Sequence, residues 1–203
     1  MSLTSEKYSL KITMTGPLLG SQPGRDTPAA DFLKDKVKKE NPDANIEDEA
    51  ITLPDELQKG TTGFHRTDDD KPCLYNYQIK GMIKESGSVL NGLEGLKGMK
   101  SKLDNLVFIS PRLIPIQTDK KISICERPLR GETMKGPRTS LARSEMIAEG
   151  AKIECEIEIL KTNKTEFKEE ILRTLLDYGS KKGLGQWRNS GLYGQFTYEL
   201  TKI

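Results

Sequence analysis

Alternation of apolar and polar residues predicts the strands of this chain. Residues 7–14, KYSLKITM, and 152–160, KIECEIEIL, alternate strictly, so each predicts a strand with one buried face. Residues 196–200 predict a last strand, and residues 106–117 and 121–125 predict two more around a turn. The side chains expected to face the core are Tyr8, Leu10, Ile12, Met14, Ile153, Cys155, Ile157, Ile159, Phe196, Tyr198 and Leu200.

Apolar residues at helical spacing predict the helices. The pattern is clearest over residues 165–179, where Asn163 and Glu166 form a predicted capping box and Gly179 is the predicted C-cap. A second helix is predicted over residues 77–90, although two glycines weaken it.

The segments between these elements are long. Residues 93–106 continue at helical spacing, and residues 29–40 predict a short helix inside an insertion or lid that spans residues 16–63. The Asp run 68–70 predicts a turn. Residues 126–150 lack apolar periodicity and form a long basic connection.

The order of these elements predicts the fold class. Without its insertions the chain is close to βαββαβ with one extra strand. This order predicts an α+β fold of the ferredoxin-like (RRM-like) type, in which an antiparallel sheet carries two helices on one face and leaves the other face for a ligand. We expect residues 1–203 to form one domain, with residues 126–150 as a second insertion.

Composition indicates the environment of the protein and the kind of ligand that its charge allows. Hydrophobic residues make up 34% and charged residues 31% of the chain, and the net charge is +2, so anion binding must come from local clusters. The three cysteines are far apart and form no CxxC pair, which argues against a zinc site and against a disulfide framework. No apolar signal core or membrane span is present. We expect a cytoplasmic protein that does not bind a membrane.

A glycine-rich stretch near the C-terminus, GLGQWRNSGLYGQF (183–196), is the first candidate site. It precedes a strand rather than a helix and has no GKS or GKT, which excludes a Rossmann site and a P-loop. Its main-chain N–H groups could line an anion pocket, or its glycines could only permit packing. The candidate residues are Lys182, Gly183, Gly185, Arg188, Gly191 and Gly194.

The basic connection is the second candidate site. Its cations are interleaved with Gly, Pro and Thr in ERPLRGETMKGPRTSLAR (126–143), a composition that suits contacts to backbone phosphates. The alternative is a solvated surface loop. The candidate residues are Arg127, Arg130, Lys135, Arg138 and Arg143.

The single histidine, His65, lies close to the Asp run and is the third candidate. His65, Asp68 or Asp70 could act as acid or base on a ribose 2′-hydroxyl near Lys80 and Lys84, and the aspartates could bind Mg²⁺. The alternative is an exposed polar turn.

Taken together, three blocks resemble the RAMP superfamily of CRISPR-associated proteins, most of all the backbone subunits that line guide RNA in effector complexes. The first block is KPCLYNYQIKGMIKE (71–85), which keeps the Lys80-Gly81 core and has Lys84 where the family usually has Arg. The second, residues 124–159, is similar to the family's β-hairpin thumb. The third is the glycine-rich stretch, in which Tyr193 is an extra residue before Gly194.

This resemblance implies RNA binding, with the thumb, the glycine-rich stretch, Lys80, Gly81 and Lys84 on the sugar-phosphate backbone of single-stranded RNA. It implies partners among other copies of the chain or effector-complex subunits, and no cofactor. Some relatives cleave RNA with an Asp before the Lys-Gly helix and others with a His, which keeps an endoribonuclease, with Mg²⁺ if needed, as an alternative. A third alternative is a viral or mobile-element protein of the same fold that binds a host component or a small nucleotide.

Overall fold

The computed structural model describes residues 4–23, 60–92, 98–134, 136–161 and 167–203. Within these ranges the chain is a mixed α+β protein whose strands are mostly antiparallel, as the sequence predicts. Three α-helices are described, namely α1 (Asn76–Val89), α2 (Met99–Leu106) and α3 (Glu169–Lys182). None of them has the length and apolar content that a membrane crossing requires.

The described residues form two sheets, and the larger one, here called the main sheet, holds seven strands. The strands are β1 (Thr4–Met14), β5 (His65–Arg66), β6 (Pro72–Tyr75), β7 (Val107–Ser110), β8 (Leu113–Gln117), β11 (Lys152–Lys161) and β12 (Phe196–Lys202). Their order across the sheet is β12-β1-β11-β8-β6-β5, and β7 also pairs with β11.

The centre of the main sheet confirms the alternation in the sequence. In β1 and β11 every predicted inward side chain is buried, while Lys11 and Glu154, which are paired in register, are exposed on the opposite face. Because alternate residues of a strand point to opposite faces, one pattern both selects the strand and orients it.

The helices pack on the apolar face of the sheet and on each other. Ile79, Met82 and Ile83 of α1 are buried with Leu172 and Leu176 of α3 in one core. Burial of such side chains is the main stabilising contribution to a domain of this size.

Helix α3 ends three residues later than the sequence predicts, because Gly179 is not its C-cap. A Cβ at Gly179 would lie 2.1 Å from Met82 Sδ, so this glycine permits the close approach of α1 and α3 inside the helix. The helix continues to Lys182, and Gly183, with φ of 89°, follows it. The predicted capping box, Asn163 and Glu166, and the predicted helix over 29–40 lie outside the described residues.

The second sheet, here called the hairpin sheet, contains a β-hairpin, as the resemblance implies, where periodicity predicts only an irregular basic connection. The predicted strand 121–125 and the start of the basic connection form one strand, β9 (Ser123–Thr133), which pairs with β10 (Gly136–Ile147) in an antiparallel hairpin. Strand β10 also pairs with short segments from both ends of the predicted insertion. These are β2 (Leu18–Leu19) and β4 (Thr61–Gly63), and β4 pairs in turn with β3 (Gln22–Pro23).

Hydrophobic periodicity does not predict the hairpin, because the far half of the hairpin has solvent on both faces. Strand β4 pairs with β10 at Arg143 and Ser144, and β2 pairs at Met146 and Ile147. Among the described residues, 128–141 therefore pair only across the hairpin, and most of them are exposed. A ribbon with no buried face has no reason to alternate apolar and polar residues.

Candidate nucleic-acid interface

The hairpin (residues 123–147) meets the glycine loop (residues 183–195) through a cation held between two aromatic rings. The Cζ atom of Arg127 lies 4.3 Å from the ring centroid of Trp187 and 4.6 Å from that of Tyr193. An Arg guanidinium on the face of an aromatic ring is stabilising, more so when it is partly desolvated. Tyr193, the extra residue in the glycine loop, thus forms one side of the joint between loop and hairpin.

A second contact supports this joint from the side of Tyr193. The Tyr193 hydroxyl lies 3.9 Å from Cys125 Sγ. This hydrogen bond, with burial as a smaller cause, raises the pKa of Tyr193 above its ordinary value, so the phenol remains neutral at physiological pH. Cys125 and Arg127 point to the same face of the hairpin because they are two residues apart in β9.

Gln186 ties the glycine loop to the base of the hairpin and to β4. Its Oε1 accepts a hydrogen bond from the Ser144 hydroxyl at 2.9 Å and lies 3.1 Å from Thr62 Oγ1. The Gln186 N–H donates to Leu19 O at 3.2 Å. The side chain of Gln186 therefore joins the glycine loop to β10 and β4, and its main chain joins the loop to β2.

The base of the hairpin is also held by a buried carboxylate. Glu145 is 7% exposed; its Oε1 forms an ion pair with the Arg66 guanidinium, and its Oε2 accepts the Phe64 N–H at 2.9 Å. A buried charge is tolerated only when it is paired and hydrogen-bonded, and both conditions are met here. Sequence alone does not identify Arg66 as the partner of Glu145.

The glycines of the loop have packing reasons. A Cβ would lie 2.4 Å from Tyr193 O at Gly183, 2.5 Å from Leu19 O at Gly185 and 1.9 Å from Leu184 O at Gly194. All three also have positive φ, between 72° and 89°, where an L side chain is strained. Gly191 is less constrained, with a Cβ position 3.1 Å from the Tyr193 ring.

The two cations beside this loop are already paired. Glu85 of α1 lies 3.3 Å from Lys182 Nζ through Oε1 and 3.1 Å from Arg188 Nη2 through Oε2. Both cations were predicted to contact phosphates, so a phosphate at this place must compete with the Glu85 carboxylate. No local pattern indicates this pairing, since Glu85 and Arg188 are about half the chain apart.

The predicted cations of α1 lie on a different side of that helix. Lys84 Nζ is 2.5 Å from Asp104 Oδ1, a bond that lowers the pKa of Asp104. Lys80 Nζ donates to the Asp104 carbonyl at 3.0 Å and lies 5.4 Å from the Phe108 ring centroid. Both lysines are thus fixed against α2 and β7.

Of three predicted hairpin cations, two are exposed in the far half of the hairpin and one is ion-paired at its base. Arg130 and Arg138 are exposed, and both lie in the half that pairs only across the hairpin. Arg143 is at the base, with Nε 2.6 Å from Glu126 Oε1 of the paired strand. Lys135 lies outside the described residues.

The predicted catalytic residues are not at this joint. His65 is 2% exposed, packs edge-to-face on Tyr75 with ring centroids 4.5 Å apart, and burial lowers the pKa of His65 to about 4. The aspartates form the predicted turn between β5 and β6, where Asp70 Oδ1 is 3.5 Å from Arg66 Nε. No group of three or more metal-ligating side chains occurs among the described residues. Catalytic roles for His65, Asp68 and Asp70 stay predictions.

In this α+β protein the glycine loop contacts both the basic hairpin, through Arg127, and helix α1, through Glu85. The fold of the protein is similar to that of a chain in the cryo-EM structure of the Type III-B Cmr-beta bound to cognate target RNA, with a TM-score of 0.51 and 14% sequence identity. The similarity covers 98% of this chain and 61% of that chain, so this chain spans about three fifths of its length. No protein-family model and no curated protein matches the sequence.

Proposed function

We propose that this chain is an RNA-binding, self-associating subunit of the RAMP type that contacts the sugar-phosphate backbone of a single strand without cleaving it. The neighbour of similar fold was solved with target RNA bound, which supports both parts of the partner prediction, RNA and an effector assembly. The main sheet, the hairpin and helix α1 of this chain also support the proposal.

The arrangement of the main sheet supports a ferredoxin-like fold within this proposal. Strand β1 lies between β12 and β11, and β7 and β8 pair with the other edge of β11. Along the chain, α1 lies between β1 and β7, and α3 lies between β11 and β12. This order corresponds to βαββαβ if β7 and β8 are counted as two pieces of one strand. The elements between β1 and α1 are additions to that frame.

The hairpin is the observation on which the proposal rests. It exposes Arg130 and Arg138 on opposite faces of the ribbon, since Arg138 pairs with Gly131 and Arg130 pairs with Thr139. The Arg127 contact and Glu145 hold the base of this ribbon to the rest of the protein. Two exposed guanidinium groups on a ribbon fixed at its base are suited to phosphate oxygens, which Arg binds with two parallel hydrogen bonds.

Helix α1 offers a second surface, which Glu85 joins to the glycine loop. Tyr77, Gly81 and Glu85 are four residues apart and so share one helix face. Gly81 is exposed, and a Cβ there would meet nothing within 4 Å, although glycine costs a helix interior about 1 kcal/mol relative to alanine. Packing does not require this glycine, whereas close approach of an RNA backbone would.

We expect removal of the two exposed hairpin charges to weaken RNA binding. In R130Q/R138Q, affinity for a labelled single strand of about 20 nucleotides should fall by about tenfold at about 50 mM salt. The slope of log K against log salt should fall by about 1.4, because each lost phosphate contact on a single strand contributes about 0.7. Fluorescence anisotropy measured over a salt series gives both quantities.

The matched control is K11Q/K152Q, which changes the net charge equally on the open face of the main sheet, where Lys11 and Lys152 are exposed. It should bind RNA as the unmodified protein does. Equal weakening in both variants would mean that net charge, or a strand bound on the open face of the main sheet, accounts for the effect, and it would remove the role of the two arginines. No RNA binding by the unmodified protein would refute the proposal.

Neutralising Glu85 should have the opposite effect. In E85Q, Lys182 and Arg188 lose their shared carboxylate, so both can pair with phosphate. We expect RNA affinity to rise about two- to fivefold, the size of one or two exposed ion pairs, with a steeper salt dependence.

The chain provides a close control for this effect in Glu6. Its carboxylate likewise pairs with two lysines, Lys161 at 2.8 Å and Lys202 at 2.5 Å, at the far end of β1. E6Q makes the same change in charge away from the glycine loop and should leave RNA affinity unchanged. A gain in E6Q as large as in E85Q would show that Glu85 has no local role.

A further inference from the structure

We propose that Trp187 is the stacking platform for an unpaired base of the bound strand. This inference rests on the proposed function and names the contact by which the site would distinguish an unpaired strand from a bare polyanion. Three observations carry it, concerning the support of the ring, its exposure and its backbone.

The indole of Trp187 is supported on one side. The Arg127 guanidinium lies over its ring at 4.3 Å and also over the Tyr193 ring at 4.6 Å. Because Arg127 contacts both rings, the indole lies against a side chain that is itself held in the joint between hairpin and glycine loop.

Part of Trp187 remains in solvent. The residue is 39% exposed, although the Arg127 guanidinium lies over its ring. Trp has a large ring with one polar N–H and is enriched at binding interfaces. A flat π-surface backed by a cation is suited to one further planar group, and a nucleic-acid base is the planar group that a phosphate-binding ribbon would bring to it.

The backbone holds the ring in this position at a cost. Trp187 has φ of 56°, and Asn189 and Leu192 in the same loop have φ of 67° and 57°. A bulky residue in the left-handed region costs about 1–3 kcal/mol and persists where the surrounding structure fixes it, often at a binding site. The loop thus keeps the indole at the surface against its own conformational preference.

Trp187 is the only tryptophan of the protein, so its fluorescence reports this contact directly. Titration with a single-stranded RNA should quench the emission at the same concentrations that raise anisotropy. A strand of the same length with abasic positions should bind through its phosphates without quenching. W187L should lower affinity for the normal strand by between about 5-fold and about 100-fold, the range for one stacked base, and leave affinity for the abasic strand unchanged.

Two further variants complete the test. W187F keeps a ring and should retain most of the affinity that W187L loses. L192A alters another exposed apolar residue of the same loop and should bind both strands as the unmodified protein does, which excludes a general effect of loop substitution.

The possible results separate this inference from the proposed function. RNA binding without quenching, with W187L unaffected, would overturn the stacking contact and leave the proposed function intact. Equal loss of both strands in W187L, or loss in L192A as large as in W187L, would also overturn it. Absence of RNA binding in every assay would remove both proposals.

Discussion

Replacement of Gly194 by alanine should destabilise the protein by about 3 kcal/mol or more. The new Cβ would lie 1.9 Å from Leu184 O and 2.7 Å from Leu184 N, in a stretch where Leu184 N–H donates to Gly194 O at 2.9 Å. Backbone atoms cannot move aside as a side chain can, so the loop must open. Overpacking costs about 1–3 kcal/mol, and positive φ adds about 1–2 kcal/mol for an L residue.

The control for this prediction is Gly150, which has a positive φ of 91° but open space around its Cβ position. G150A should lose only the backbone part, about 1 kcal/mol. Urea unfolding followed by far-UV circular dichroism measures both variants, with the slope m expected to stay constant. Equal losses in G194A and G150A would mean that the close contact at Gly194 is absent in solution.

This comparison bears on the two alternatives that the sequence leaves open for the glycine-rich stretch. Gly183, Gly185 and Gly194 approach other backbone segments so closely that packing alone accounts for them. Under the proposed function, RNA contacts of the stretch come from its side chains, Trp187 and Arg188, which the glycines hold in place. Packing and the proposed binding are then compatible, because the first positions the groups for the second.

The regular part of the fold was predictable because it has one buried face. Strands β1, β11 and β12 and helix α1 show this, since each bears its apolar residues at the period of its own geometry. The turn at Asp68–Asp70 was predictable from turn chemistry.

The remainder depends on contacts between distant residues, which no local pattern records. Gly179 has the composition of a C-cap, yet its role is set by Met82 of another helix. Arg127 and Arg188 have the composition of phosphate ligands, yet the first is held between two rings and the second by Glu85. Local sequence identified the chemistry of the candidate site, and tertiary pairing decides which of its charges remain exposed.

Glu145 is the residue whose loss should most weaken the attachment of the hairpin. E145A leaves the Arg66 guanidinium, 15% exposed as a side chain, without its buried partner, and Phe64 N–H without an acceptor. Asp70 already pairs with Arg66 Nε at 3.5 Å, but it is 91% exposed, so it offsets little of the loss. Breaking a buried ion pair by removing one partner costs about 3–5 kcal/mol, mostly because the other charge stays buried.

Glu126 provides the matched comparison on the same hairpin. Its carboxylate pairs with Arg143 at 2.6 Å, but the two side chains are 49% and 35% exposed, so E126A should cost less than about 1 kcal/mol. Urea unfolding should therefore separate E145A from E126A by at least about 2 kcal/mol. A loss in E145A no larger than in E126A would contradict the buried pair. In that case the hairpin would be held mainly by the contacts of Arg127 with Tyr193 and Trp187, and R127A would become the more damaging substitution.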